Sequence, residues 1–193
     1  MALQRPLPAL SLLIALALAG CATPGHVEPY RDVSCLGMTH VSLIQAIEAA
    51  ERSRGIRVID AEFNMETEMG CLGGDHGHYD IVFYQDGTLS KATIDANNGA
   101  IGPEHREGLL RRLFNLDFVS DWPEAEMRSG GPAAARAALT MPRAVAMAAR
   151  AGELALAAHV KTDANRTRYA IELVDRGQVR VAFVDFDGRV SNE

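Results

Sequence analysis

One stretch of this chain occurs twice. Residues 79–84 read Tyr79-Asp80-Ile81-Val82-Phe83-Tyr84, a turn follows at Asp86-Gly87, and residues 89–95 run back. Ninety residues later the pattern returns as Tyr169-Ala170-Ile171-Glu172-Leu173-Val174, a turn at Arg176-Gly177, and residues 179–185. Across residues 79–95, five of 17 positions are identical at this offset: Tyr79/Tyr169, Ile81/Ile171, Gly87/Gly177, Ala92/Ala182 and Asp95/Asp185. Unrelated stretches of average composition would share about one. An internal repeat of this kind constrains the fold more than composition does.

The repeat extends upstream. Ser42-Leu43-Ile44-Gln45 fits a capping box, and Leu43, Ala46, Ile47 and Ala50 then form one apolar helix face that Gly55 stops. At an offset of 98, Thr140, Ala144, Val145 and Ala148 repeat Ser42, Ala46, Ile47 and Ala50, with Pro142 in the first turn. Residues 56–65 read as a strand with Ile59, Ala61, Phe63 and Met65 on one face; the alternation breaks near Asp60, as a bulge would make it. Residues 154–162 are the matching strand. The offset falls from 98 to 90 because the first copy carries an extra glycine-rich loop at 67–77. Asp86-Gly87 suits a two-residue hairpin, whose central residues both need positive φ. Asn98-Gly99 turns again into a short edge at 100–101.

Between the copies, residues 104–114 carry an apolar stripe of Leu109, Leu110, Leu113 and Phe114 and read as a helix. Residues 115–131 hold Trp122-Pro123 and Gly130-Gly131 and read as loop, and 132–139 as a further helical turn. The expected class is α+β: two repeated units, each one helix packed on an antiparallel β-meander, joined by a helical linker. The expected division is 1–20 signal peptide, 21–37 tether, 38–102 first unit, 103–139 linker and 140–193 second unit. A unit of about 60 residues is marginal alone, so the two should pack together or lean on the linker helix.

The first 20 residues stand apart. Arg5 precedes a mostly apolar run that ends in Leu18-Ala19-Gly20-Cys21. This is a secretory signal with small residues at the cut, too short for a comfortable membrane span. The four residues resemble the bacterial lipobox, which implies a diacylglyceryl group on Cys21, cleavage before it, and acylation of the new amine. Ala22 in place of Asp implies, by the same resemblance, sorting to the outer membrane, facing the periplasm. Residues 22–36, with Pro24-Gly25 and Pro29, then read as a tether. Outside the cytoplasm Cys35 and Cys71 form a possible disulfide, worth roughly 4 kcal/mol in the chain-entropy model; two separate buried thiols are the other reading.

A formal charge of −6 with no basic cluster beyond Arg111-Arg112 argues against a nucleic-acid partner. No Gly-x-Ser-x-Gly, His-Glu-x-x-His or phosphate loop occurs, so no catalytic residue is assigned and no cofactor is implied. Asp95 and Asp185 open calcium-loop-like stretches, but the twelfth position after Asp95 is Arg106, which excludes an EF-hand. Asp75, His76 and His78 could contribute to a zinc or copper site if a further ligand came from elsewhere. Tyr79 and Tyr169 are either matched contacts for a partner or core packing. Trp122 is either a partner anchor or a plug between the units.

Ser42, Ala46, Ala50, Tyr79, Ile94-Asp95 and Gly99 in the first copy, and Thr140, Ala144, Ala148, Tyr169, Val184-Asp185 and Gly188 in the second, resemble the PepSY domain. The resemblance implies a helix on an antiparallel sheet. It also implies kinship with propeptide segments of thermolysin-like metallopeptidases, which assist folding and inhibit the enzyme. The paired layout is similar to the β-lactamase-inhibitory protein, an analogy of fold alone. The expected role is therefore a lipid-anchored envelope protein, not an enzyme, held to the membrane at Cys21 and regulating or inhibiting a peptidase. A structural or assembly lipoprotein of the outer membrane and a metal-binding periplasmic protein are the alternatives.

Overall fold

Ser42 opens the first helix, α1 (Leu43–Arg54), through the capping box that its sequence calls for: Ser42 Oγ accepts from the Gln45 amide at 3.3 Å and Gln45 Oε1 accepts from the Ser42 amide at 2.8 Å. Gly55, at φ 67°, ends it. This geometry comes from a computed structural model, which describes residues 35–65, 77–106, 124–163 and 166–192. The signal peptide, Cys21, Cys71, Asp75, His76 and Trp122 lie outside the described residues.

The strands are β1 (Val58–Asn64), β2 (His78–Gln85), β3 (Thr88–Asp95), β4 (His105–Arg106), β5 (Leu154–Asp163), β6 (Arg166–Asp175), β7 (Gln178–Asp185) and β8 (Val190–Asn192). Two further helices, α2 (Glu124–Arg136) and α3 (Met141–Ala148), precede β5. The class is α+β, as expected. All eight strands form one antiparallel sheet in the order β4-β3-β2-β1-β5-β6-β7-β8. β1 and β5 meet at its centre, with Asp60 opposite His159, Ala61 opposite Ala158 and Glu62 opposite Ala157. The two halves of the chain are thus halves of one sheet, and Asp32–Glu193 clusters as a single unit.

Local geometry matches across the seam. Each central strand carries a bulge, between Val58 and Asp60 in β1 and between Ala155 and Ala157 in β5. Both hairpins turn on two left-handed residues, Asp86 (φ 51°) with Gly87 (φ 80°) and Arg176 (φ 50°) with Gly177 (φ 80°). Thr140 caps α3 by accepting from the Arg143 amide, and Pro142 sits in its first turn. The paired tyrosines are core residues. Tyr79 Oη donates to the Val41 carbonyl at 2.7 Å and Tyr169 Oη to the Leu139 carbonyl at 2.9 Å. Val41 and Leu139 each stand one residue before a helix cap, so each phenol pins a helix start to the sheet. Burial raises both hydroxyl pKa values, against a hydrogen bond to Thr39 at Tyr79, and takes Tyr169 to about 12.

Three local expectations fail. His105 and Arg106, read as part of a helix, pair instead with Lys91 and Ser90 as an edge strand. Cys35 and Leu36, read as tether, are 1% and 4% exposed and belong to the core. Residues 124–131, read as loop, are helical. There Gly130 and Gly131 lie in the middle of α2, where glycine costs about 1 kcal/mol each against alanine. The compensation is contact: a Cβ on Gly130 would stand 2.5 Å from Val160 Cγ1, and one on Gly131 2.5 Å from the Tyr84 ring. The glycines let α2 press onto the sheet closer than any side chain allows.

Candidate interaction surface

Register alone sorts the sheet into two chemically different faces. Ala61, Phe63, Tyr79, Ile81, Ala158, Val160, Tyr169 and Ile171 share one, where the tyrosines meet the starts of α1 and α3. The other carries Asp60, Glu62, Asp80, Lys91, His159, Lys161, Arg168, Glu172 and Asp185. Most of its acids are buried: Asp60 is 1% exposed, Glu62 4%, Asp80 8% and Asp185 8%, while His159 is 2%. The alternation Ile59-Asp60-Ala61-Glu62-Phe63 announces this face, but His159 gave no signal, because its neighbour Asp60 lies on a strand of the other half.

His78 starts β2 on the charged face. Its Nε2 lies 3.5 Å from Asp80 Oδ1, and Lys91 Nζ (2.8 Å) and Asn64 Nδ2 (3.1 Å) reach Asp80 Oδ2. Burial pushes the Asp80 carboxyl up, but these three partners outweigh it and hold the pKa at about 2. A metal on His78 would have to compete with that carboxylate. Among the described residues no three His, Cys, Asp or Glu side chains gather as a metal site needs. Cys35 is disulfide-bonded, to a partner outside the described residues.

Arg166 and Asp185 form an ion pair on the same face, and Arg168 lies 3.7 Å over the Phe183 ring. A cleft of about 870 Å³ opens between the end of α1, the β2–β3 turn and α2, lined in part by Glu51, Arg57, Tyr84, Asp86 and Arg136. Its guanidiniums are already engaged. Arg57 pairs with Glu51 at 3.4 Å, and Arg136 Nε donates to the Pro132 carbonyl at 2.9 Å.

The sheet edges differ more than the faces. In a two-residue hairpin the closing pair bonds inward and the next residue points its backbone outward. On β3 the outward residues are Leu89, Lys91, Thr93 and Asp95; on β7 they are Val179, Val181, Phe183 and Asp185. The last of each set confirms the alternation, since the Asp95 amide donates to Ala100 O at 3.0 Å and the Asp185 amide to Arg189 O at 2.9 Å. On β3, Thr93 O accepts from Gly102 at 2.8 Å and Lys91 faces His105 of β4, while no described strand residue is paired with Leu89. On β7, β8 covers only Ala182 to Val184. Among the described residues no strand flanks Gln178 to Val181, and Val179 is 51% exposed.

Residues 41–101 match the PepSY family, described as "Peptidase propeptide and YPEB domain"; this is roughly a third of the chain. No curated protein matches. Among solved structures, the chain is similar to one described as a "putative lipoprotein" from Clostridium difficile 630, at 16% identity and a TM-score of 0.38, over 80% of this chain and 95% of that one. At that score the likeness does not bear on function. No described helix is long and apolar enough to cross a membrane. Over residues 41–101 the chain is thus similar to the PepSY family.

Proposed function

We propose that this protein is a non-catalytic, lipid-anchored binding protein of the bacterial envelope that restrains a peptidase. The PepSY match over residues 41–101 is the observation that carries the reading, since that family is described by peptidase propeptides. The lipobox-like Leu18-Ala19-Gly20-Cys21 supports the anchor and an outer-membrane address. On this reading residues 140–193 are a second PepSY-like unit, supported by the matched bulges, hairpin turns and tyrosine–carbonyl bonds. The disulfide of Cys35 is assigned to Cys71, the remaining cysteine outside the signal region; peptide mapping without reductant checks it, and a Cys35–Cys21 link would refute it.

The mature chain with Cys21→Ser, added to a thermolysin-like metallopeptidase, should slow cleavage of a protein substrate in proportion to its concentration. Unchanged turnover across a panel of periplasmic and secreted metallopeptidases would remove the inhibitory reading.

A further inference from the structure

The described chain enters the fold across one end of the sheet. A short 3₁₀ helix, Leu36–Met38, lies against the start of β5, where a Cβ on Gly37 would stand 3.8 Å from Leu154 Cδ1. The amides of His40 and Val41 then donate to Ala96 O, just past the end of β3, at 3.1 and 3.0 Å. The β6–β7 turn is at this end too, because Leu154 stands opposite Val174 and Val174 opposite Val179. Cross-strand partners project to the same side, so Leu154, Val174 and Val179 form one apolar row across three strands. Both ends of the row are exposed, Leu154 at 43% and Val179 at 51%, and Met38, next to Gly37, is 56% exposed. Arg176, almost wholly exposed, tips the turn between Val174 and Val179.

We propose that this end, through Met38, Leu154 and Val179, rests on the lipid bilayer that holds the anchor. The inference rests on the lipidation of Cys21 proposed above and adds to it the surface that meets the membrane. What selects a bilayer is where the chain comes from. Cys21 lies 14 residues before Cys35, and a chain of that length spans at most about 50 Å whatever path it takes. Cys35 is fixed in the core and immediately precedes the 3₁₀ helix. The exposed apolar side chains thus sit at the end of the fold that the chain enters from its anchor. The turn at Asp86-Gly87 is at the other end of β2, about 25 Å further along the strand. Three apolar side chains are too few for tight binding from solution. With a covalent anchor in the same surface their insertion becomes an intramolecular step, and weak contacts then suffice to orient the domain. Arg176 keeps its guanidinium at the phosphate headgroups while its stem lies along the same surface.

The test uses the full mature chain beginning at Cys21, joined to a lipid thioester, which reacts selectively at an amino-terminal cysteine. The lipidated chain is placed on nanodiscs of phosphatidylethanolamine and phosphatidylglycerol doped with a gadolinium-chelate headgroup lipid, and paramagnetic signal loss is read amide by amide. Loss at Met38, Leu154 and Val179 should exceed that at Gly87 by about threefold or more, because the first three lie within about 10 Å of the headgroups and Gly87 about 25 Å beyond. The triple variant Met38→Asp, Leu154→Asp, Val179→Asp should keep its melting transition and level the profile. Equal loss at Gly87 and the three residues in the unaltered chain overturns the proposal, as does an unchanged profile in the triple variant. A concentration-dependent change at the same three amides without lipid also overturns it, since a second copy would then be the occupant. The profile of the unaltered chain decides the matter even if the triple variant misfolds. The anchor is decided separately, by mass spectrometry of the protein taken from envelope membranes. A bare Cys21 there removes the anchor and this role with it, whereas lipid on Cys21 without the gradient on nanodiscs keeps the anchor and removes the docking.

Discussion

The two halves of the sheet agree in the interior and diverge at the rim. Inside, each half has a capped helix, a bulged central strand, a left-handed hairpin turn and a buried tyrosine donating to the carbonyl ahead of the helix. At the rim, β4 and Gly102 cover the first half's outer strand from Ser90 to Thr93, whereas among the described residues no strand flanks Gln178 to Val181 in the second. The comparison separates what holds the fold from what is available to a partner. Features shared by both halves are accounted for by packing, so the differences are where to look for function.

The largest effect should come from the shared tyrosines. Truncation of either ring to alanine deletes a fully buried aromatic and should cost about 3–5 kcal/mol in denaturant unfolding. Conversion to phenylalanine separates the halves. Tyr169→Phe strands a bond that is wholly buried and should cost about 2 kcal/mol, whereas the Tyr79 bond is partly solvated and should cost about 1 kcal/mol. Equal losses would show that the two latches are equivalent and would erase that distinction.

Acid should weaken the first half at Asp80, whose counterpart in the second half is Ala170. The folded pKa of Asp80 is depressed to about 2, so its contribution is full above the unfolded value near 4 and is lost as pH falls toward 2. The contribution is on the order of 2 kcal/mol, and Asp80→Asn should flatten the stability profile across that window. An unchanged slope between pH 4 and 2 in the variant, at matched ionic strength, would contradict the assignment.

Gly131→Ala tests the close approach of α2. Helix propensity alone predicts a gain of about 1 kcal/mol. Contact with the base of the Tyr84 ring predicts a net loss of about 1 kcal/mol, because the ring cannot yield as a flexible chain end would. A higher melting temperature in the variant would show that the helix stands further from the sheet than described.

The smallest effect should be at the turns. Arg176 holds φ 50°, a region that asparagine tolerates better than arginine, so Arg176→Asn should stabilise by about 0.5 kcal/mol. Asp86→Asn, starting from a residue already suited to the turn, should be near neutral. A gain at Asp86 that matches the gain at Arg176 would show the turns to be equally strained.

What could be read in the sequence was what short-range chemistry decides. Ser42 with Gln45, Asp86-Gly87 and the break in alternation near Asp60 each fix a feature within a few residues, and each stands where it was expected. What could not be read depends on distant partners. Nothing near Asp60 announces that His159 will be its neighbour. Gly130-Gly131 looks like loop until Val160 and Tyr84 supply the contact that makes a helix with no side chains worthwhile. His105 and Arg106 join a strand because the edge of β3 offers bonds that local propensity does not record. Tyr79 and Tyr169 were legible as a pair but not as a latch, because Val41 and Leu139 lie 38 and 30 residues away.

The contrast between closed and open rim can be measured directly by amide exchange on the free chain, followed residue by residue. Lys91 and Val181 occupy equivalent places on β3 and β7. The account predicts slow exchange at Lys91, slow exchange at the inward amide of Arg180, and exchange near the rate of an unfolded chain at Val179 and Val181. Protection of Val179 and Val181 comparable to that of Lys91 would mean that the second rim is closed, and would contradict the account.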